Sequence, residues 1–175
     1  MIPIRRFNQI TIVANSLVVF DIDETLIKFD GIDYKWWQNK AKKFLIQTRD
    51  NKLAEQMANE ELRQKLSTIP PELVDPDIFQ FIQRLQEANC QIILLTARKG
   101  ELRDMTPAHL SSVGLSFEHI YYNENKGDQL LQLVSTTYNQ FHDIIVVDDM
   151  KPNLTDIETK LSGLEVNLHL YNIKE

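Results

Sequence analysis

The sequence predicts an α/β fold built on a parallel sheet, and three observations lead there. First, Leu17-Val18-Val19-Phe20, Ile92-Ile93-Leu94-Leu95 and Ile144-Ile145-Val146-Val147 are short apolar runs with no polar alternation. Strands of that kind are covered on both faces, as in a parallel sheet between helices. Second, the segments between the runs carry helical spacing, so the chain alternates β and α. Third, 175 residues is the length of one ordinary domain.

The elements follow in order. Leu17–Phe20 is the first strand. A helical insertion comes next, in which Leu53, Met57, Leu62 and Leu66 mark an amphipathic helix with a mixed-charge outer face. Pro70, Pro71 and Pro76 break the pattern. Asp75-Pro76 reads as a cap and first helical position, followed by the stripe Ile78, Phe81, Ile82, Leu85. Ile92–Leu95 is the second strand, and a helix leads from it to a weaker strand near Ile120-Tyr121-Tyr122. A helix from Lys126 to about Tyr138, the strand Ile144–Val147 and a helix from Leu154 to about Leu161 come next. The last strand holds Val166, Leu168 and Leu170, whose alternation suits an edge position. The expectation is a doubly wound, Rossmann-like parallel sheet of five strands, with a small helical lid over 28–70 inserted in a single domain spanning 1–175.

Composition narrows the partners. Hydrophobic residues make up 43%, enough for a core, and the 25% charged residues suit a solvated surface. A net charge of −6 argues against a nucleic-acid partner, which calls for a basic face. The one cysteine, Cys90, excludes an internal disulfide and reads as a small buried hydrophobe. No long apolar stretch follows Met1–Arg6, so no secretory signal is expected. No apolar run approaches the roughly 20 residues of a membrane helix, so no transmembrane segment is expected.

Each strong strand ends in polar residues: Asp21-Ile22-Asp23-Glu24-Thr25, then Thr96-Ala97-Arg98, then Asp148-Asp149. In a parallel sheet these ends share one edge, where open α/β folds bind ligands. Lys126, after the weaker strand and at the start of a helix, can reach the same edge. Four carboxylates together repel one another unless a cation neutralises them. An all-oxygen set of this kind suits Mg²⁺ completed by water and phosphate. A cation plus a lysine is the equipment of phosphoryl transfer.

The segments Asp21-x-Asp23-x-Thr25, Thr96, Lys126 and Asp148-Asp149 resemble, in content and order, the four motifs of the haloacid dehalogenase (HAD) superfamily. The resemblance covers about Leu17 to Asn167. More loosely, the stretch from Thr96 through Lys126 is similar to a little-characterised bacterial HAD-like branch that includes host-directed effector phosphatases. The resemblance implies a phosphatase that works through an aspartyl-phosphate. Asp21 is then the nucleophile and Asp23 the acid and base, with Thr96 and Lys126 as the other catalytic residues. Thr25, Thr96, Arg98 and Lys126 form the expected substrate-binding set, Thr25 also bracing the loop. Asp21, Asp148, Asp149 and Asp23, the last through its backbone carbonyl, are the expected Mg²⁺ ligands, and Asn153 supports their loop. Neighbouring carboxylates are expected to weaken the acidity of Asp23, as a proton carrier requires. Arg98 either contacts substrate or pairs with a carboxylate at its strand end.

Trp36-Trp37 either anchor the insertion or line the site entrance, with the anchor favoured. His109, His119, His142 and His169 have no metal-ligand spacing and read as structural or surface residues. Lys40, Lys42, Lys43, Arg49 and Lys52 read as a solvated helix face. Only 29 residues separate Thr96 from Lys126, too few for a second cap, so the site is expected to be open enough for a phosphoprotein. The DxDET form of Asp21–Thr25 also occurs in capless HAD protein phosphatases and points the same way, to phosphotyrosine. The alternatives are a small-metabolite phosphatase and a catalytically silent HAD-fold binding module. A response-regulator receiver uses similar residues in a different order. The resemblance implies a cytoplasmic protein or one delivered to a host cell as an effector.

Overall fold

The computed structural model describes residues 1–174. In chain order the elements begin with β1 (Ile2–Ile4), β2 (Leu17–Phe20), β3 (Ile27–Lys28), α1 (Tyr34–Thr48), α2 (Asn51–Leu66), β4 (Glu72–Leu73) and α3 (Ile78–Glu87). They continue with β5 (Gln91–Thr96), α4 (Glu101–Ser112), β6 (Ile120–Tyr122), α5 (Lys126–Thr136), β7 (Asp143–Asp148), α6 (Lys151–Leu161) and β8 (Asn167–Ile173). No helix among the described residues is long and apolar enough to cross a membrane.

Six strands form one sheet in the order β1-β8-β7-β2-β5-β6, with every neighbouring pair parallel. From β2 the chain adds β5 and β6 on one side, then returns to add β7 and β8 on the other. The direction of winding therefore changes at the gap between β2 and β7. The three strong apolar runs are the three central strands, and their inward residues are almost fully buried.

Both faces of the sheet are covered, which is why these strands carry no polar alternation. Leu17, Val19, Ile93, Leu95, Ile144 and Val146 pack into one cluster with Leu130, Leu133 and Val134 of α5 and Leu154, Ile157 and Leu161 of α6. Phe20 points the opposite way, because successive strand side chains alternate. It meets Phe81 of α3 at 6.2 Å and Phe7 of a short 3-10 turn at 5.8 Å between ring centroids.

The sheet has six strands where five are expected. Ile2-Pro3-Ile4 pairs with Tyr171-Asn172-Ile173, so β8 is interior rather than at the edge. Three residues are too few to show a period, and the proline in β1 is tolerated because β1 is itself an edge strand. The expected helix start at Pro76 is also two residues early. Asp75 accepts the Asp77 N–H at 3.1 Å and the Phe7 N–H at 2.9 Å, and α3 begins only at Ile78.

The described chain divides into two compact units. The first holds the sheet: Met1–Leu26, Val74–Lys99 and the residues from Phe117 onward. The second holds Ile27–Leu73 together with Gly100–Ser116, so it takes in α4 as well as the expected 28–70 segment. Within it β3 and β4 pair antiparallel, Ile27 opposite Leu73, where the inserted chain leaves and returns. α1 and α2 form a hairpin with a two-residue turn: Arg49 takes a left-handed conformation, and the Asp50 side chain caps α2 on the Leu53 N–H at 3.1 Å.

The buried face of α2 differs from the sequence expectation. Ala54 and Ala58 are buried, whereas Leu53 and Met57 are exposed, and of the expected stripe only Leu66 is buried. Two alanines one turn apart are buried in place of larger side chains, which an apolarity count weighted to large side chains misses. Trp37 works as an anchor inside this unit: its indole N–H donates to Asn59 of α2 at 2.8 Å. His109 is structural, buried with its ring nitrogen 3.1 Å from the Leu66 carbonyl oxygen.

Candidate functional site

The register of the sheet builds the site. Phe20 is level with Val147, so the next residues, Asp21 and Asp148, end adjacent parallel strands side by side. This is the gap where the winding changes direction, the place at which open α/β sheets bind ligands. The alternation that sends Val19 and Val146 toward α5 and α6 carries Asp21 and Asp148 to that same face. α5 starts there, and its first residue is Lys126.

Lys126 is 3% exposed, and its ammonium lies 2.7 Å from Asp21 Oδ1 and 2.6 Å from Asp148 Oδ2. Burial works against its charge, but the two carboxylates more than offset that and raise the Lys126 pKa above its ordinary value. Asp21 behaves differently. Burial, together with Asp148 and Asp23, lifts its carboxyl to about 7 in spite of Lys126. Asp149 is lifted to about 8 by burial and then by Asp21 and Asp148. One lysine does not neutralise three carboxylates.

Backbone and hydroxyl groups fix the two loops. Leu26 N–H donates to the Ile22 carbonyl at 2.9 Å, folding Asp21–Leu26 into a tight turn, with Glu24 at a left-handed φ of 57°. Inside that turn the buried Thr25 hydroxyl accepts the Asp149 N–H at 3.1 Å and reaches Asp21 Oδ2 at 3.5 Å, so it ties the two acidic loops together. Asp148 Oδ1 accepts the Met150 N–H at 2.7 Å and the Asn153 amide at 3.1 Å. Asn153 therefore supports the Asp148 side chain.

The sequence pattern does not single out one residue that the structure adds to the site. Asn172 of β8 is level with Asp148, is fully buried, and donates through Nδ2 to the carbonyls of Asp148 at 3.0 Å and Asp149 at 2.6 Å. Its Oδ1 has no hydrogen-bond partner among the described residues. Asn172 lies inside β8, between Tyr171 and Ile173, in a strand that alternates polar and apolar residues, so no polar strand end marks it in the sequence.

Asp21, Asp148 and Asp149 each offer a carboxylate oxygen, and these oxygens lie within 4.8 Å of one another. The Asp23 carboxylate lies outside this group. It is held instead by Arg98, whose Nε and Nη2 donate to its two oxygens at 2.8 and 2.7 Å. Asp23 thus pairs with a guanidinium, and it also neighbours a carboxylate, since its charge helps to raise the Asp21 carboxyl. Of the two roles expected for Arg98, pairing with a carboxylate is present in the structure. Thr96, at the end of β5, is buried, and its hydroxyl accepts the Arg98 N–H at 3.2 Å, leaving its own proton free to donate.

An all-oxygen trio of carboxylates, two of them lifted toward neutral pH by mutual repulsion and burial, fits a hard divalent cation. No curated protein matches the chain. A family described as "Protein of unknown function (DUF2608)" matches residues 4–124 and 121–173, and the chain belongs to that family.

Proposed function

We propose that the protein is a Mg²⁺-dependent phosphatase of the HAD type, which hydrolyses phosphomonoesters through an aspartyl-phosphate on Asp21. The observation that carries this reading is the meeting of Asp21, Asp148 and Asp149 around buried Lys126 at the gap between β2 and β7. Asp21, Asp148 and Asp149, with the Asp23 backbone carbonyl, would hold Mg²⁺. Bound there, Mg²⁺ would offset the charge of the phosphate oxygens.

The chain's own residues perform the two displacements. An Asp21 carboxylate oxygen forms a bond to phosphorus while the bond from phosphorus to the leaving oxygen breaks. Asp23 gives that oxygen a proton. In the second step Asp23 takes a proton from water, the water oxygen bonds to phosphorus, and the phosphorus bond to Asp21 breaks. Phosphate leaves and both carboxyl groups return to their starting forms. The Thr96 hydroxyl donates to the phosphate, and Lys126 keeps Asp21 and Asp148 in register.

The leaving-group side is the exposed one: the Asp23 side chain is 43% exposed, against 8% for Asp21. A substrate whose phosphate is buried and whose body stays in solvent suits that difference, which favours a phosphotyrosine on a protein. The size of the second compact unit, which takes in α4, favours a small-metabolite phosphatase as the second reading. Hydrolysis of p-nitrophenyl phosphate tests the reaction. Activity is expected with Mg²⁺ and lost in EDTA and in Asp21→Asn. Activity that persists in either would overturn the mechanism, and an inactive folded wild type favours a binding module. Phosphotyrosine peptides compared with sugar and nucleotide phosphates then separate the two substrate readings.

A further inference from the structure

Arg98 meets Asp23 from the buried side of the site. The Arg98 side chain is 2% exposed and the Asp23 side chain 43%, so the guanidinium sits behind the carboxylate. Two parallel hydrogen bonds, 2.8 Å from Nε to Oδ2 and 2.7 Å from Nη2 to Oδ1, fix both oxygens of Asp23 at once. A two-point contact of this kind sets orientation as well as position. Left alone, an exposed aspartate exchanges rotamers freely. Arg98 is itself held, its side chain by burial and its backbone N–H by the bond to the Thr96 hydroxyl.

We infer that Arg98 is a positioning residue: it aims the Asp23 carboxyl group at the leaving oxygen, and does not bind the substrate phosphate. This rests on the phosphatase reading above. In the step concerned, Asp21 bonds to phosphorus, the bond from phosphorus to the leaving oxygen breaks, and the proton passes from Asp23 to that oxygen. A carboxylic acid keeps one oxygen as an acceptor, so one of the two bonds to Arg98 survives while the other oxygen carries the proton.

The test compares two esters, phenyl phosphate and 2,4-dinitrophenyl phosphate, by kcat/KM, which reports only steps through cleavage. Phenoxide needs a proton to leave; dinitrophenoxide does not. A positioned acid contributes on the order of a hundredfold or more. Arg98→Ala is expected to lose about a hundredfold on phenyl phosphate and at least tenfold less on the dinitrophenyl ester. Asp23→Asn should show the same selectivity, and the double variant should be no worse than Asp23→Asn on phenyl phosphate. Equal losses on both esters with weakened inhibition by inorganic phosphate would place Arg98 on the phosphate and overturn the inference. Equal losses with unchanged inhibition would make it a structural residue and overturn it too. Should Arg98→Ala fail to fold, Arg98→Lys keeps the charge and one donor and should show a smaller version of the same selectivity; equal losses there also overturn it. A wild type that hydrolyses neither ester overturns the phosphatase reading and this inference together. An active wild type with uniform losses overturns this inference alone.

Discussion

Substituting Asp21 with Asn removes a charge with almost no change of shape, and the environment of Asp21 sets the sign of the outcome. Burial, Asp148 and Asp23 lift its carboxyl from 3.8 to about 7 against the pull of Lys126. At about 1.4 kcal/mol per tenfold, the ionised form is disfavoured in the fold by about 4 kcal/mol. The folded protein therefore holds a proton that the unfolded chain releases above pH 3.8. Stability is fully present below that pH and falls as pH rises toward 7. Asp21→Asn has no such proton to hold. Its Oδ1 can still accept from Lys126, which also keeps Asp148 at 2.6 Å. In EDTA the variant is expected to match wild type near pH 4 and to exceed it by about 2–4 kcal/mol at pH 7.5, while being inactive. Urea unfolding at the two pH values reads the difference, and Mg²⁺ should shrink it by stabilising the wild type. A variant less stable than wild type at pH 7.5 in EDTA would show that the Lys126 ion pair outweighs the desolvation and repulsion, and would refute the reasoning.

Three further outcomes are expected. Asn172→Ala removes the two donors to the carbonyls of Asp148 and Asp149; it should lower Mg²⁺ affinity or activity about tenfold to a hundredfold, measured by metal titration and phosphate release. In Gly127→Ala the new Cβ would lie 2.8 Å from Lys160 Cγ and would displace the Asp156 carboxylate that accepts the Gly127 N–H. The loss should exceed the roughly 1 kcal/mol that alanine normally gains in a helix, and a stabilised variant by urea unfolding would contradict that. Ala58→Leu places a large side chain at a fully buried position of α2; a cost of about 1–3 kcal/mol in thermal unfolding is expected, whereas the exposed Met57→Ala should change little.

The three central strands, the order of α and β, and the meeting of Asp21, Lys126 and Asp148 were legible in the sequence. Apolar runs with polar ends state their own placement once the sheet is parallel. Other features left no local trace. β1 is three residues long and acquires meaning only beside β8. The buried residues of α2 include Ala54 and Ala58, whose small size gives little apolar signal in the sequence. α4 joins the second unit by contacts distant in sequence.

The same division runs through the candidate site. Residue types and their order along the chain determined that carboxylates and a lysine would meet, because strand polarity alone carries them to one edge. Only the tertiary structure decided which group faces which: Lys126 between Asp21 and Asp148, Arg98 on Asp23, Asn172 under the Asp148-Asp149 carbonyls. Pairings of that kind depend on register and burial between segments 75 residues apart for Asp23 and Arg98, and further still for Asp21 and Lys126, which no local pattern in the sequence encodes.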